Sequence, residues 1–136
     1  MRCTSVGFVR SPFKTIEDAP NMGRLTDMRS TIEIQEEYRA AMKGLAEGDN
    51  VFVLCWFDRA ERNILQVHPR SDKTRPLKGV FATRSPARPN PVSLTLVEIE
   101  KIEGLTLTVK GLEALDMTPV LDIKPYSEMD SPSRAS

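Results

Sequence analysis

Arg84 and Arg88 stand among Pro86, Pro89 and Pro91 in residues 79–95, GVFATRSPARPNPVSLT, between two apolar runs. Each proline fixes φ, removes a backbone donor and pushes the preceding residue out of the helical region. The segment is therefore a stiff loop, from which Arg84 and Arg88 are expected to project. Guanidiniums on a rigid support suit the gripping of a carboxylate or of phosphates. A second set of reactive groups, Asp116, Asp122, Lys124 and Tyr126, lies in residues 115–126, LDMTPVLDIKPY. Strand alternation puts Val120, Asp122 and Lys124 on one face and Leu121 and Ile123 on the other. With Leu121 and Ile123 in the core, the acid and the base would line the opposite surface. Pro125 would end the pairing there and aim Tyr126 outward.

Other chemistries find no support. His68 is the only histidine and sits in VHPR, where a structural role is expected. Cys3 and Cys55 form no CxxC, and Cys55 lies inside the apolar run VFVLCWF, so a buried, inert thiol is expected. One histidine without a cysteine cluster offers no zinc site, and no metal is expected. No Ser-His-Asp or Cys-His set is in evidence for nucleophilic hydrolysis. Residues 6–9 are followed by Arg10-Ser11-Pro12-Phe13 rather than by glycines, and no GxGxxG occurs, which excludes the Rossmann fingerprint and the P-loop.

The elements that must position these groups read mostly as short strands. The chain has 136 residues, 40% hydrophobic and 28% charged, which fits one globular domain over residues 1–126 with a polar tail over 127–136. Strands are expected over residues 6–9, 31–35, 51–57, 63–67, 79–83, 92–102, 105–110 and 120–124. The run at 51–57 is apolar throughout and reads as buried on both faces. In 92–102 the apolar phase changes between Leu96 and Val97, and a β-bulge there would reconcile the two halves. One helix is expected over residues 36–43, with Tyr38, Ala41, Met42 and Leu45 on one stripe and Gly44 as its stop. Short strands with regular turns and a single short helix point to a mainly β fold, a small antiparallel β-barrel. No apolar run approaches the ~20 residues of a membrane span, and the first ten residues lack the apolar stretch of a signal peptide, so a cytoplasmic location is expected.

Net charge is zero, yet residues 59–88 hold eight Lys/Arg against Glu61 and Asp72. That segment carries a net +6 and the remainder −6, enough to build a local basic patch on a neutral protein.

FATRSPARPNP at 81–91 resembles the signature of the tRNA methyltransferase O family, also called TsaA-like proteins. LDMTPVLDIKPY at 115–126, VGFVRSPFK at 6–14 with EDAP at 17–20, and VLCWFDRAER at 53–62 match the same family in order. The resemblance covers nearly the whole chain, from about Val6 to Tyr126. It implies a small β-barrel that forms a homodimer and uses S-adenosylmethionine, the methyl going to N6 of threonylcarbamoyladenosine beside the anticodon of a tRNA.

Carried over motif by motif, the cofactor segments fall on Pro20, Asn21 and Met22; on Asp58 and Arg59; on Arg84 with Leu94; and on Asp116, Met117, Thr118 and Pro119. Arg84 would hold the carboxylate of the cofactor and Asp116 its ribose hydroxyls or amino group. Leu94 and Met117 would flank the adenine. Asp58 stands where many relatives have histidine. Met117 and Ser93 stand where the family pattern has glycine. The tRNA anticodon loop would be held by Arg62, Arg70, Lys73, Arg75, Lys78 and Arg88, with help from Arg59 and Arg84. Asp122, Tyr126 and Asp116 are the candidate acceptors of the N6 proton, unranked by sequence. Two alternatives remain open: a methyltransferase of the same fold acting on another RNA base or a small molecule, and a non-enzymatic S-adenosylmethionine-binding module.

Overall fold

The computed structural model describes residues 1–12 and 28–128. Eight strands are present among the described residues: β1 (Gly7–Arg10), β2 (Arg29–Ile34), β3 (Asn50–Trp56), β4 (Gln66–Val67), β5 (Lys78–Gly79), β6 (Val92–Glu103), β7 (Thr106–Lys110) and β8 (Pro119–Pro125). Six of them close into a barrel in the order β1-β2-β7-β6-β3-β8, and every pairing is antiparallel. Closure leaves the barrel without a free edge. β4 and β5 form a separate two-stranded sheet on an arm between β3 and β6.

Alternation explains the interior. Val9, Ile32, Ile34, Val51, Val53, Cys55, Val97, Ile99, Leu107, Val109 and Val120 point inward from their strands and make up most of one buried cluster. Leu112 and Ala114, on the crossing from β7 to β8, plug it. Gly7 lets β1 lie close to β2, since a Cβ there would collide with the Glu33 carbonyl oxygen. Ser30 is 3% exposed, and its Oγ has no hydrogen-bond partner among the described residues.

The expected helix is present over Glu36–Met42, but as a 3-10 helix. Tyr38 and Met42 pack part-way onto the core while Ala41 stays exposed, so the expected stripe is only partly realised. Gly44 follows with φ 99°, a conformation that glycine reaches without strain.

Several strand expectations change. β3 buries only Val51, Val53 and Cys55; Phe52, Leu54 and Trp56 are half-buried on the outer surface of the barrel. The strand expected at 63–67 shrinks to β4. The one expected at 79–83 is β5 followed by a 3-10 turn over Val80–Ala82. β6 does not slip at Leu96–Val97: Val97 and Ile99 point in, and Val92, Leu94 and Leu96 point out with 40–46% exposure. The register shift of β6 comes later, between Ile99 and Lys101, which leaves Glu100 as the extra residue. Arg29 of β2 grips that carboxylate with two hydrogen bonds, at 2.7 and 3.0 Å, and holds it below the usual carboxylate range.

β8 carries a second register shift, opposite Leu54 and Cys55, with Leu121 as the extra residue. It moves Val120 into the core, against the alternation expected from sequence. Asp122 and Lys124 remain exposed, while Leu121 and Ile123 are half-buried. Among the described residues no helix is long and apolar enough to cross a membrane.

Candidate functional site

The proline loop is held by its own arginine. Nη2 of Arg88 donates to the Val80 carbonyl at 2.7 Å, and its Nη1 donates to the Thr83 and Ser85 carbonyls at 3.1 Å. Prolines at 86, 89 and 91 cannot donate from the backbone. Carbonyls in such a loop would otherwise face water alone, and a planar guanidinium with five donors can collect three of them. Arg88 therefore folds back onto the loop instead of projecting from it. Arg62 behaves similarly. It donates to the Pro89 carbonyl at 2.8 Å and to Asn90 Oδ1 at 3.1 Å, with its guanidinium 5.0 Å from the Trp56 ring centre.

Arg84 remains outside this clasp. It is exposed, and Nη1 donates to the Leu94 carbonyl at 3.3 Å. Leu94 lies opposite Leu54 on β3, and Leu54 lies opposite Asp122 on β8. The barrel thus sets Leu94, Leu54 and Asp122 in one row across three adjacent strands, with Arg84 tied to the end of the row. Strands spaced ~4.8 Å apart put the two ends of that row roughly 10 Å from each other. The next row holds Leu96, Phe52 and Lys124. Lys124 Nζ stands 3.4 Å from Asp122 Oδ2, both side chains exposed, and the Asp122 side chain also accepts from the Ile123 backbone at 2.8 Å.

Tyr126 lies at the other end of β3. Its ring meets Phe52 edge-on at 5.7 Å, and its backbone donates to the Asn50 carbonyl. A cavity there, of about 590 Å³, is lined by Leu45, Asp49, Ile123, Pro125 and Tyr126 among others.

Asp116 and its neighbours occupy the barrel end where β3 terminates. Asp116 is 9% exposed; its Oδ1 accepts from the Ser11 backbone at 2.9 Å and lies 3.5 Å from Arg10 Nε. Arg59 donates to the Asp116 carbonyl at 3.5 Å, which brings Asp58 and Arg59 beside Asp116 and Met117. Met117 takes φ 69° and is 47% exposed, while its backbone donates to the Val9 carbonyl at 2.7 Å. Met117 thus holds a left-handed backbone conformation that glycine would reach without strain. Thr118 is 4% exposed and Pro119 half-buried, where they join β1 through backbone pairing. A cavity of about 310 Å³ adjoins Asp116; Arg10, Ser11, Arg29 and Ser30 line it as well.

Pro20, Asn21 and Met22 lie outside the described residues. Arg70, Lys73 and Lys78 are exposed on the arm and meet no acidic partner among the described residues, whereas Arg75 lies 3.6 Å from Asp72. His68 has Nδ1 2.8 Å from the Arg75 carbonyl. A carbonyl can only accept, so Nδ1 carries the proton and His68 staples the arm's loop. Cys55 is buried, and desolvation pushes its thiol up to about 12. No group of three His, Cys, Asp or Glu able to hold a metal occurs among the described residues. Sequence reasoning missed the outward apolar ladder of β3 and β6. The alternation of Val92, Leu94 and Leu96 against Val97 and Ile99 carries that signal, which the bulge expected at Leu96–Val97 obscures.

The family model for the N-terminal domain of tRNA-methyltransferase O matches residues 8–131. A probable S-adenosyl-L-methionine-binding protein of Methanothermobacter thermautotrophicus is 52% identical over 94% of this chain and 91% of its own length. Another, of Archaeoglobus fulgidus, is 48% identical over 90% of this chain, which spans only 33% of that protein. The crystal structure of TrmO from P. aeruginosa is similar with a TM-score of 0.74 at 30% identity. The alignment takes in 100% of this chain and 59% of that one, so this chain spans about three fifths of the TrmO length.

Proposed function

The chain belongs to the tRNA-methyltransferase O family, and from that premise we propose that it binds S-adenosylmethionine and methylates N6 of threonylcarbamoyladenosine in a tRNA anticodon loop. The observation that carries this reading is the row formed by Leu94, Leu54 and Asp122 with Arg84 fixed at its end. It sets a free-standing cation, an apolar wall and a carboxylate on one exposed face.

The residues present fit the cofactor. Arg84 is exposed and oriented by one hydrogen bond, which leaves further donors for the methionine carboxylate. Leu94 and Met117 are large, apolar and 41–47% exposed, which leaves each side chain available to an adenine. Ser30, whose buried Oγ has no hydrogen-bond partner among the described residues, lines the cavity beside Asp116. When bound, S-adenosylmethionine supplies an electrophilic methyl group on a sulfonium.

The chain's own work is to position N6 and to take its proton. Asp116 is buried and already accepts from Ser11, which disfavours it as that acceptor. Asp122 is exposed, and among the described residues only Lys124 and its own strand contact its carboxylate, so it takes the proton in this reading. Tyr126, four residues further along the strand and roughly 13 Å away, orients the substrate instead. Arg70, Lys73, Arg75 and Lys78 hold phosphates of the anticodon loop. The outward apolar residues beside that row, Phe52, Trp56, Val92 and Leu96, are the face by which two copies form a homodimer. A tRNA substrate goes with a cytoplasmic location.

A second reading, a cofactor-binding protein without transferase activity, is favoured by the description of the archaeal relatives as binding proteins. One experiment separates the two. Calorimetric titration with S-adenosylmethionine comes first, followed by methyl transfer to tRNA with and without the threonylcarbamoyl group. Binding with transfer only to the modified tRNA supports the first reading. Binding without transfer supports the second, and no binding overturns both.

A further inference from the structure

Apart from Met1, Phe81 has the highest exposure of the large apolar side chains among the described residues, at 87%. It is displayed on a fixed support. Val80 beside it is 3% exposed, and its backbone donates to the Leu65 carbonyl at 2.9 Å. The Val80 carbonyl accepts from the Thr83 backbone, from Thr83 Oγ1 and from Arg88 Nη2. The turn Val80–Ala82 is thus tied at both ends, and the ring stands in solvent at the cost of an exposed apolar surface.

The sequence around it carries charge of one sign. Between Asp72 and Glu98 the chain has no acidic residue, while Lys73, Arg75, Lys78, Arg84 and Arg88 all fall in that interval. Arg88 is spent on the loop; Lys73, Lys78 and Arg84 are exposed, and the last two flank Phe81 at three residues on either side. An exposed ring among unopposed cations matches single-stranded nucleic acid, in which phosphates seek the cations and unpaired bases seek a flat apolar surface. A second copy of the arm would bring like charges together.

We infer that Phe81 is a stacking platform for an unpaired base of the RNA substrate, placed by the arm beside Arg84. The inference rests on the proposed action on a tRNA loop. Stacking tolerates any base, so Phe81 sets affinity for unpaired RNA and leaves sequence choice to other groups.

The test is fluorescence anisotropy with a labelled anticodon stem-loop RNA and a fully paired hairpin at one salt concentration. The full chain is compared with Phe81→Ala and Phe81→Tyr. The expected result is about ten- to hundredfold weaker binding of the loop RNA by Phe81→Ala. Phe81→Tyr should stay near the parent, and binding of the paired hairpin should not change. Affinity for S-adenosylmethionine and sedimentation should be the same in all three proteins. Unchanged loop binding by Phe81→Ala overturns the inference. So does an equal loss on both RNAs, or a loss that accompanies a change from dimer to monomer, which makes Phe81 a contact between copies. Methyl transfer reads the function separately. If no tRNA is methylated, the transferase reading fails while anisotropy still decides Phe81; normal methylation with unchanged loop binding by Phe81→Ala sinks the stacking role alone.

Discussion

Arg88 and Val80 are joined by a 2.7 Å hydrogen bond from a guanidinium to a carbonyl, eight residues apart across the proline loop. The same guanidinium also holds Thr83 and Ser85. Arg88→Ala would leave the Thr83 and Ser85 carbonyls to find water in a partly buried loop and take from the Val80 carbonyl its shortest donor. A loss of about 1–3 kcal/mol in unfolding free energy is expected by urea denaturation. Arg88→Lys should recover only part of it, because an ammonium cannot span three acceptors in one plane. Full stability in Arg88→Ala would mean that the prolines alone hold the loop.

Arg84 has one hydrogen bond and is exposed, so its removal should leave stability unchanged. Its expected effect is on the ligand. Arg84→Ala should weaken S-adenosylmethionine binding by about tenfold or more, as the loss of a charge-assisted contact to a carboxylate requires. Calorimetry with unchanged affinity would remove Arg84 from the site.

Met117 keeps φ at 69° despite its side chain. The left-handed region costs an L-residue roughly 1–2 kcal/mol. Glycine avoids that cost but adds about 0.5–1 kcal/mol of unfolded-chain entropy. Met117→Gly should therefore raise the urea midpoint by a small amount, equivalent to at most about 1 kcal/mol. A lower midpoint would show that Met117 packs better than its exposure implies.

Cys55 and Cys3 should differ in reactivity. Cys3 is exposed and Cys55 fully buried. At pH 8 a thiol reagent should modify one cysteine of the native chain and both in urea. The Cys55 pKa is raised from 9.0 to about 12, so between those values the unfolded chain has lost a proton that the folded one keeps. Stability from this group is complete below pH ~9 and falls as pH rises toward 12. Cys55→Ala should flatten that part of the stability profile.

Lys73 and Arg75 lie on the arm, exposed and away from the barrel core. Reversing both charges should weaken RNA binding and reduce the slope of log affinity against log salt by roughly 1–2. An unchanged slope would make that loop a bystander, while the thermal midpoint should stay where it was.

Much of this molecule is legible in the sequence. Period-two alternation in TIEIQ and TLTVK locates β2 and β7, and Gly104, with φ 61°, marks the turn into β7. The proline loop announces its own stiffness. The two register shifts at Glu100 and Leu121 are not legible, since a bulge is decided by the partner strand and not by the strand that carries it. The inward turn of Arg88 is hidden for a related reason. Its acceptors are backbone carbonyls, which leave no trace in residue identity. Placement of the candidate site follows the same division: Asp122 and Lys124 face outward as alternation predicts, whereas Val120 reverses because Leu121 intervenes.

The arm leaves the barrel after Trp56 and returns at Val92, and those two residues are paired neighbours in one ladder. Everything between them is a side excursion that begins and ends at the same doorway. Val80, its buried anchor, lies outside the barrel's core cluster. The barrel can therefore exchange this insert for another without rewiring a strand, as a tool holder accepts a different bit. Chimaeras that swap residues 57–91 between relatives would move Asp58, Arg59, Phe81 and Arg84 together with the insert and leave Leu94, Asp116 and Met117 with the barrel.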